Sequence, residues 1–383
     1  MRQFMWCAEC ESIDEYFYSS TYFWLFLPTS EAIDKVTKMA EYAKYPLESV
    51  EHRCLRVQVE KSQAGSFLNQ LNGCLDGPEF GGTKVTTSAQ PSQLSIEAIS
   101  RMTTAEVLTR RYQAQWLSEA MDKHAYESWF QPIVRAGSDV ADPSIFAHES
   151  LFRIFDANES IIPPGFAFSL AEKSNLLFAL DLTARRSAVE YFSRAKLKGK
   201  VFINFNPSSI YDPAYCLRAT ASAISELGLK PADVVFEIVE THRANDMNHL
   251  KGILSFYRSS GFGVALDDIG SGWSGLNLLE QLRPDYVKID MELISGIDEN
   301  VYKQNIVKHL IQIARKNRTE VIAEGIETQA EAEMLTELGA DYLQGYYFAR
   351  PQRYSDRISA EEREAIYQST RPIEEAKKAH QLS

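Results

Sequence analysis

Two adjacent carboxylates, Asp267 and Asp268, end the apolar run Val264-Ala265-Leu266 in the stretch GVALDDIGSGWSGL, and a bend carrying Gly270, Gly272 and Gly275 follows them. Three apolar residues in succession read as a buried parallel strand. Acids at the mouth of such a strand either end it and cap the next turn, or hold a divalent cation, and the pair alone leaves both readings open. The rest of the chain repeats the pattern. Apolar segments carry Glu149 in HESLFR, Asn204 in FINFNP, Glu237 in VFEIVE, Lys288 in VKID, Glu324 in IAEGIE and Gln344 in LQGYYF. Unpaired buried charge is costly, so packing gives no reason for this series, whereas a cation shared between carboxylates removes the cost. The donors are oxygens with no Cys–His cluster among them, which points to Mg2+ or Mn2+ and away from structural zinc. Adjacent strand residues face opposite sides of the pleat. The glycine-rich bend can re-aim Asp268, so that one acid bridges two ions and the other binds one. Two ions about 3.5–4 Å apart form a clamp for in-line displacement at phosphorus.

Something must bring these residues together. Eight short apolar strands are expected, near Phe130–Val134, Ala147–Phe152, Val201–Asn206, Val234–Val239, Val264–Asp268, Tyr286–Asp290, Val321–Ile326 and Tyr342–Phe348. Helical patterns, as in Leu250–Ser259, Val301–Lys316 and Gln329–Leu338, separate all but the first pair. The alternation predicts an α/β fold, a (β/α)8 TIM barrel with its chemistry at the C-terminal ends of the strands. Only RAGSDVADPS joins the first two strands, too short for a crossover helix, so they should form an antiparallel hairpin.

Before the barrel, residues 1–90 read as strand-helix-strand-strand-helix-strand, a small α+β domain compatible with a ferredoxin-like arrangement. Tyr22–Leu27, His52–Glu60 and Thr83–Thr87 supply strands, Ser30 caps a helix bearing Ile33, Val36, Met39 and Ala40, and a second helix lies near Phe67–Leu75. Residues 91–122 read as a helical linker with a capping box at Thr103 and Glu106, and 123–383 as the barrel. With 383 residues, 45% hydrophobic, the chain can hold both parts around real cores. Its net charge of −12 excludes tracking along a nucleic-acid polymer but not a small anionic ligand. No window approaches the roughly 18 apolar residues of a spanning helix, and acids early in MRQFMWCAECESIDEY stand where a signal peptide is apolar. The expectation is a cytoplasmic protein without membrane contact. Cys7, Cys10, Cys54, Cys74 and Cys216 are odd in number and scattered, as suits a reducing compartment. Cys7-Ala-Glu-Cys10 could be half of a zinc site completed by Cys54, Cys74 or His52, but a second CxxC is missing and ordinary thiols are the simpler reading.

In order, HESLFR, FINFNP, FEIVE, LDDIGSGWSGL, VKID, AEGIE and LQGYYFARP resemble the motifs of the EAL-domain phosphodiesterases, which open cyclic di-GMP to linear pGpG. The resemblance covers roughly Trp129 to Pro351. It implies a barrel whose first strand is antiparallel, with Glu149, Asn204, Glu237 and Asp267 as ligands of one metal ion and Asp267, Asp268 and Glu324 of a second. It implies that Lys288 orients the attacking water, that Glu324 is a ligand or the general base, and that Gln131, Arg153 and Gln344 contact substrate or water. Asp290 and Glu327 match supporting residues, and Glu240 matches the glutamate that holds the glycine-rich loop, which the family links to homodimer formation. Ser150, Ile269, Trp273 and Gly275 depart from the family's alanine, phenylalanine, tyrosine and serine, and none of these changes removes a ligand. Arg153 shares strand parity with Glu149, where it can meet a phosphate, while His148 has the opposite parity and reads as a packed neighbour. The rival reading is a catalytically silent cyclic di-GMP receptor; such members lose metal ligands, and this chain keeps them.

Overall fold

The computed structural model describes residues 13–92, 94–210, 220–221, 224–239, 247–270 and 275–354. They form two compact units, one built on residues up to Lys123 together with Asp156–Leu180, the other on His124–Phe155 and the chain from Asp181 onward.

In the first unit β1 (Ser20–Phe26) is the centre of an antiparallel sheet, flanked by β3 (Cys54–Glu60) and β4 (Lys84–Ser88), with β2 (Leu47–Glu51) beside β3 and β5 (Thr103–Thr104) beside β4. Alternation along β1 and β3 sends Phe23, Leu25, Val57 and Val59 to one face. There they meet Val36 of helix Ser30–Ala43 and Phe67 and Leu71 of helix Ala64–Cys74 in one apolar core. The expected strand-helix order is present, and three details differ from expectation. Thr29, not Ser30, caps the first helix, its hydroxyl accepting from the Ala32 amide at 3.0 Å. His52 and Arg53 form a turn between β2 and β3 where one strand was expected. Thr103 is drawn into β5 by pairing with Val85, so the next helix starts one residue later, capped by Thr104 through the Val107 amide, and Glu106 binds Arg110 instead of closing a box. That helix, Ala105–Gln113, contributes Ala105 and Leu108 to the same core.

The second unit is a closed eight-stranded barrel. Its strands are β6 (Tyr126–Arg135), β7 (Ile145–Phe155), β8 (Lys200–Asn204), β9 (Val234–Val239), β10 (Gly263–Ile269), β11 (Tyr286–Ile289), β12 (Glu320–Ala323) and β13 (Tyr342–Leu343). Strands β7 to β13 run parallel, and β6 closes the ring antiparallel to both β7 and β13, as the short first connection requires. One inward residue from each strand builds an apolar layer: Ile133, Ala147, Phe202, Val235, Ala265, Tyr286, Ile322 and Tyr342. Phe146 stacks on Tyr342 below it, with ring centroids 3.7 Å apart. The barrel floor is therefore packed, and polar chemistry is confined to the opposite end.

Candidate active site

Strand side chains alternate with a period of two, so the next inward position toward the C-terminal ends lies two residues beyond each member of the apolar layer, or two before it on the reversed β6. Those positions are Gln131, Glu149, Asn204, Glu237, Asp267, Lys288, Glu324 and Gln344. The barrel thus stacks a wholly polar layer on a wholly apolar one.

Lys288 is the hub. Its Nζ lies 2.6 Å from Glu324 Oε1, 3.0 Å from Glu237 Oε1, and 3.4 Å from both Glu149 Oε2 and Asp267 Oδ1. Asn204 Nδ2 donates to Glu149 Oε1 at 3.1 Å and Gln344 Nε2 to Glu149 Oε2 at 2.7 Å, so both carboxylate oxygens are oriented. Gln344 also reaches Gln131 Oε1 at 3.2 Å, and Gln131 donates to the Ala349 carbonyl at 3.1 Å, tying the first strand to the segment after the last.

The two aspartates reach one site through a bulge. On β10 Leu266 pairs with Val287 and Ile269 with Ile289, so Asp267 and Asp268 together span the single residue Lys288. The re-aiming falls one residue earlier than the glycine-rich bend suggests: Asp268 itself takes left-handed backbone, φ 57°, before Gly270 at φ 108°. A non-glycine residue there is strained, and such strain gathers at functional positions. One oxygen each from Glu149, Glu237 and Asp267 lies within 4.8 Å of the others, and the same holds for Asp267, Asp268 and Glu324, so Asp267 belongs to both groups.

Charge here is unbalanced. Glu237 is 0% exposed and Lys288 1% exposed. Burial drives the Glu237 carboxyl well above its usual range, with Lys288 opposing and the neighbouring acids reinforcing. Burial likewise raises Asp267 and Glu324, and burial with the charges of Asp267 and Asp290 pushes Asp268 up to about 7. For Lys288, burial alone would favour the neutral amine, but Asp267, Glu149, Glu237 and Glu324 together hold it firmly protonated. One ammonium does not neutralise five carboxyl groups, and their oxygens suit a hard divalent cation in both groups. A cation entering beside Asp268 would displace its proton, so affinity should rise as pH climbs through about 7 and binding should release protons. Calorimetry with Mn2+ on either side of that pH reads both effects; equal affinities, with no proton release, would contradict this electrostatic reading.

Several supports were not singled out by the sequence reading. Asp181 and Arg185, fully buried on helix Leu177–Arg194, pair at 2.9 Å, and Asp181 accepts from the Asn206 amide and the Ser209 hydroxyl, bracing the turn that follows Asn204. Glu331 accepts from the amides of Gly296, Glu327 and Thr328, and the Thr328-x-x-Glu331 capping box was the available signal. Glu327, the expected support, is exposed, whereas Asp290 caps the helix Met291–Ile294 through the Glu292 amide. Gly345 lets the ends of β12 and β13 close on each other: a Cβ there would meet the Ile326 carbonyl oxygen at 2.0 Å, at the point where the Ile326 amide binds Gln344 O. His148 is buried between the aromatic rings of Phe192 and Tyr354, as its parity predicts. Glu240, Trp273 and the Cys7/Cys10 pair, which carry the dimer-loop and zinc readings, lie outside the described residues.

The second unit is thus a closed barrel with one antiparallel strand and, at its mouth, an acidic polar layer whose two carboxylate groups could hold metal ions. The EAL domain family matches residues 114–351, and the chain belongs to that family. Escherichia coli PdeG, described as a probable cyclic di-GMP phosphodiesterase, is 28% identical over 249 residues, 63% of this chain and 48% of that protein. Escherichia coli PdeI, described in the same words, is 32% identical over 59% of this chain and 29% of its own length, so the chain spans less than half of either relative. A standalone EAL protein of Vibrio cholerae, solved with c-di-GMP bound, is 34% identical, with TM-score 0.53 over 60% of this chain and 93% of that one. Among the described residues no helix is long and apolar enough to cross a membrane.

Proposed function

We propose that this chain hydrolyses cyclic di-GMP to pGpG, as its relatives' descriptions suggest, using two Mg2+ or Mn2+ ions. The observation that carries the reading is the intact polar layer, in which Glu149, Asn204, Glu237, Asp267 and Glu324 come from five strands of the barrel and Asp268 joins them through the bulge on β10, giving two carboxylate groups that share Asp267. Glu149, Asn204, Glu237 and Asp267 would hold one ion, and Asp267, Asp268 and Glu324 the other. Bound ions would lower the pKa of the attacking water and neutralise charge on the leaving oxygen. Lys288 offers its ammonium beside Glu324 to hold that water in line. Gln131 and Gln344 keep Glu149 in register, and Arg153 meets a phosphate oxygen at the mouth. Attack at phosphorus expels the ribose 3′-oxygen. Turnover in 18O-labelled water should therefore place the label in the 5′-phosphate of pGpG; unlabelled product would refute attack by water, and binding without product would favour a receptor.

Residues 1–90 are proposed as a regulatory domain, because every proposed ligand lies after Trp129. A chain beginning at Gln115 retains Trp116, whose ring stacks on Phe166 in the full chain with centroids 6.5 Å apart, and should retain turnover. If it folds but is inactive with both metals, the N-terminal part contributes to the chemistry itself.

A further inference from the structure

We propose that Trp129 and Glu127 are positioning residues that hold the Arg153 guanidinium ready for a substrate phosphate, an inference that rests on the phosphodiesterase reading above. The antiparallel register of β6 and β7 sets Gln131 opposite Glu149, Trp129 opposite Leu151 and Glu127 opposite Arg153. All six share the inward face, in ascending order from the polar layer to the mouth. Arg153 lies with its guanidinium carbon 5.2 Å from the centroid of the Trp129 ring, and its Nη1 donates to the Phe152 carbonyl at 3.0 Å. Among the described residues no carboxylate stands within ion-pair distance of it. A guanidinium has five N–H donors in a planar fork, so stacking fixes its plane while leaving most donors for an anion.

The platform is itself anchored. Trp129 Nε1 donates to Glu127 Oε1 at 2.7 Å, which fixes the indole about its side-chain torsions. Glu127 is only 2% exposed, and its second oxygen lies 3.2 Å from Nε of Arg353, which follows Gln352, the residue that bridges to Phe130 of β6. A buried carboxylate needs such a charged partner. Arg353, Glu127, Trp129 and Arg153 thus form one continuous chain from the barrel's closing segment to the phosphate side of the site. A flexible arginine loses side-chain freedom when it captures a phosphate; one already stacked loses less, and the benefit appears in substrate binding.

The test is steady-state kinetics of the full chain with Mg2+ for Trp129→Phe, Trp129→Met and Arg353→Gln, each also combined with Arg153→Ala. Trp129→Met should raise KM about tenfold with little change in kcat, and Trp129→Phe, which keeps a ring face but loses the donor to Glu127, should fall between Trp129→Met and the parent chain. Arg353→Gln, at an exposed position where glutamine keeps an N–H donor for Glu127, should raise KM about threefold, and with thermal unfolding of the same sample to show that it is folded it decides the matter should Trp129→Met fail to fold. Neither change should have any further effect once Arg153 is alanine, which a general loss of structure would not reproduce. Unchanged KM, or effects that add in full to Arg153→Ala, would overturn the proposal. If the unaltered chain yields no product, the phosphodiesterase reading fails by itself. The same variants are then compared by Kd for cyclic di-GMP in Ca2+, where equal affinities would overturn the positioning role.

Discussion

Glu149→Ala is expected to lower cyclic di-GMP turnover by about a thousandfold or more while leaving the barrel folded. The carboxylate belongs to the first proposed metal group, accepts from Asn204 and Gln344, and lies 3.4 Å from Lys288. Removing it would take away a proposed metal ligand and free the side-chain amides of Asn204 and Gln344. Loss of several kcal/mol of charge stabilisation at phosphorus corresponds to a rate factor of this size, since each ~1.4 kcal/mol is tenfold. The fold should survive because the apolar layer beneath, with Ala147 on the same strand, is untouched. Rates by chromatography and thermal unfolding of the same sample separate the two effects. A variant as active as the parent chain would sink the assignment of Glu149 to the metal site.

Lys288→Met should have the opposite balance, a large loss of stability as well as of activity. Lys288 is the buried cation among Glu149, Glu237, Asp267 and Glu324. Breaking a buried charge cluster by deleting one partner costs about 3–5 kcal/mol, because the remaining charges are left uncompensated. In metal-free solution the carboxyls respond by holding protons, so the loss should grow as pH rises and they ionise. Divalent cations held by the same carboxylates would replace the charge of the ammonium, and Mg2+ or Mn2+ should therefore recover more stability in the variant than in the parent chain. Melting curves with and without cation across pH give the answer. Equal melting temperatures for the two chains in metal-free buffer would show that the ammonium does not balance the acids.

Much of this site could be read from period-two spacing. Each strand segment carries an apolar inward residue and, two positions nearer the mouth, a polar one, as in Phe202 with Asn204 or Ala265 with Asp267, and the barrel only had to close for these to meet. The antiparallel first strand was equally legible, because ten residues cannot carry a crossover. Backbone strain at Asp268 was not, since nothing in the residue type marks a left-handed aspartate, and the glycines after it drew attention to the wrong position. The Asp181–Arg185 brace was hidden for a different reason: an acid and an arginine four apart on a helix normally describe a solvated face. Only the packing of the turn 206–209 against that helix makes the pair buried. Trp129 and Glu127 escaped notice because alternation gives the side a residue faces but not what stacks on it.

The most direct test compares the full chain in Mg2+, Mn2+ and Ca2+, measuring cyclic di-GMP binding by calorimetry and pGpG formation by chromatography. All three cations suit an oxygen-lined site, but Ca2+ takes longer bonds and looser geometry than Mg2+, and small misplacements of reacting atoms cost far more in rate than in binding. Binding with all three cations, and product with Mg2+ and Mn2+ but not Ca2+, is the predicted result. Binding with all three and product with none would contradict the account and leave a receptor in its place.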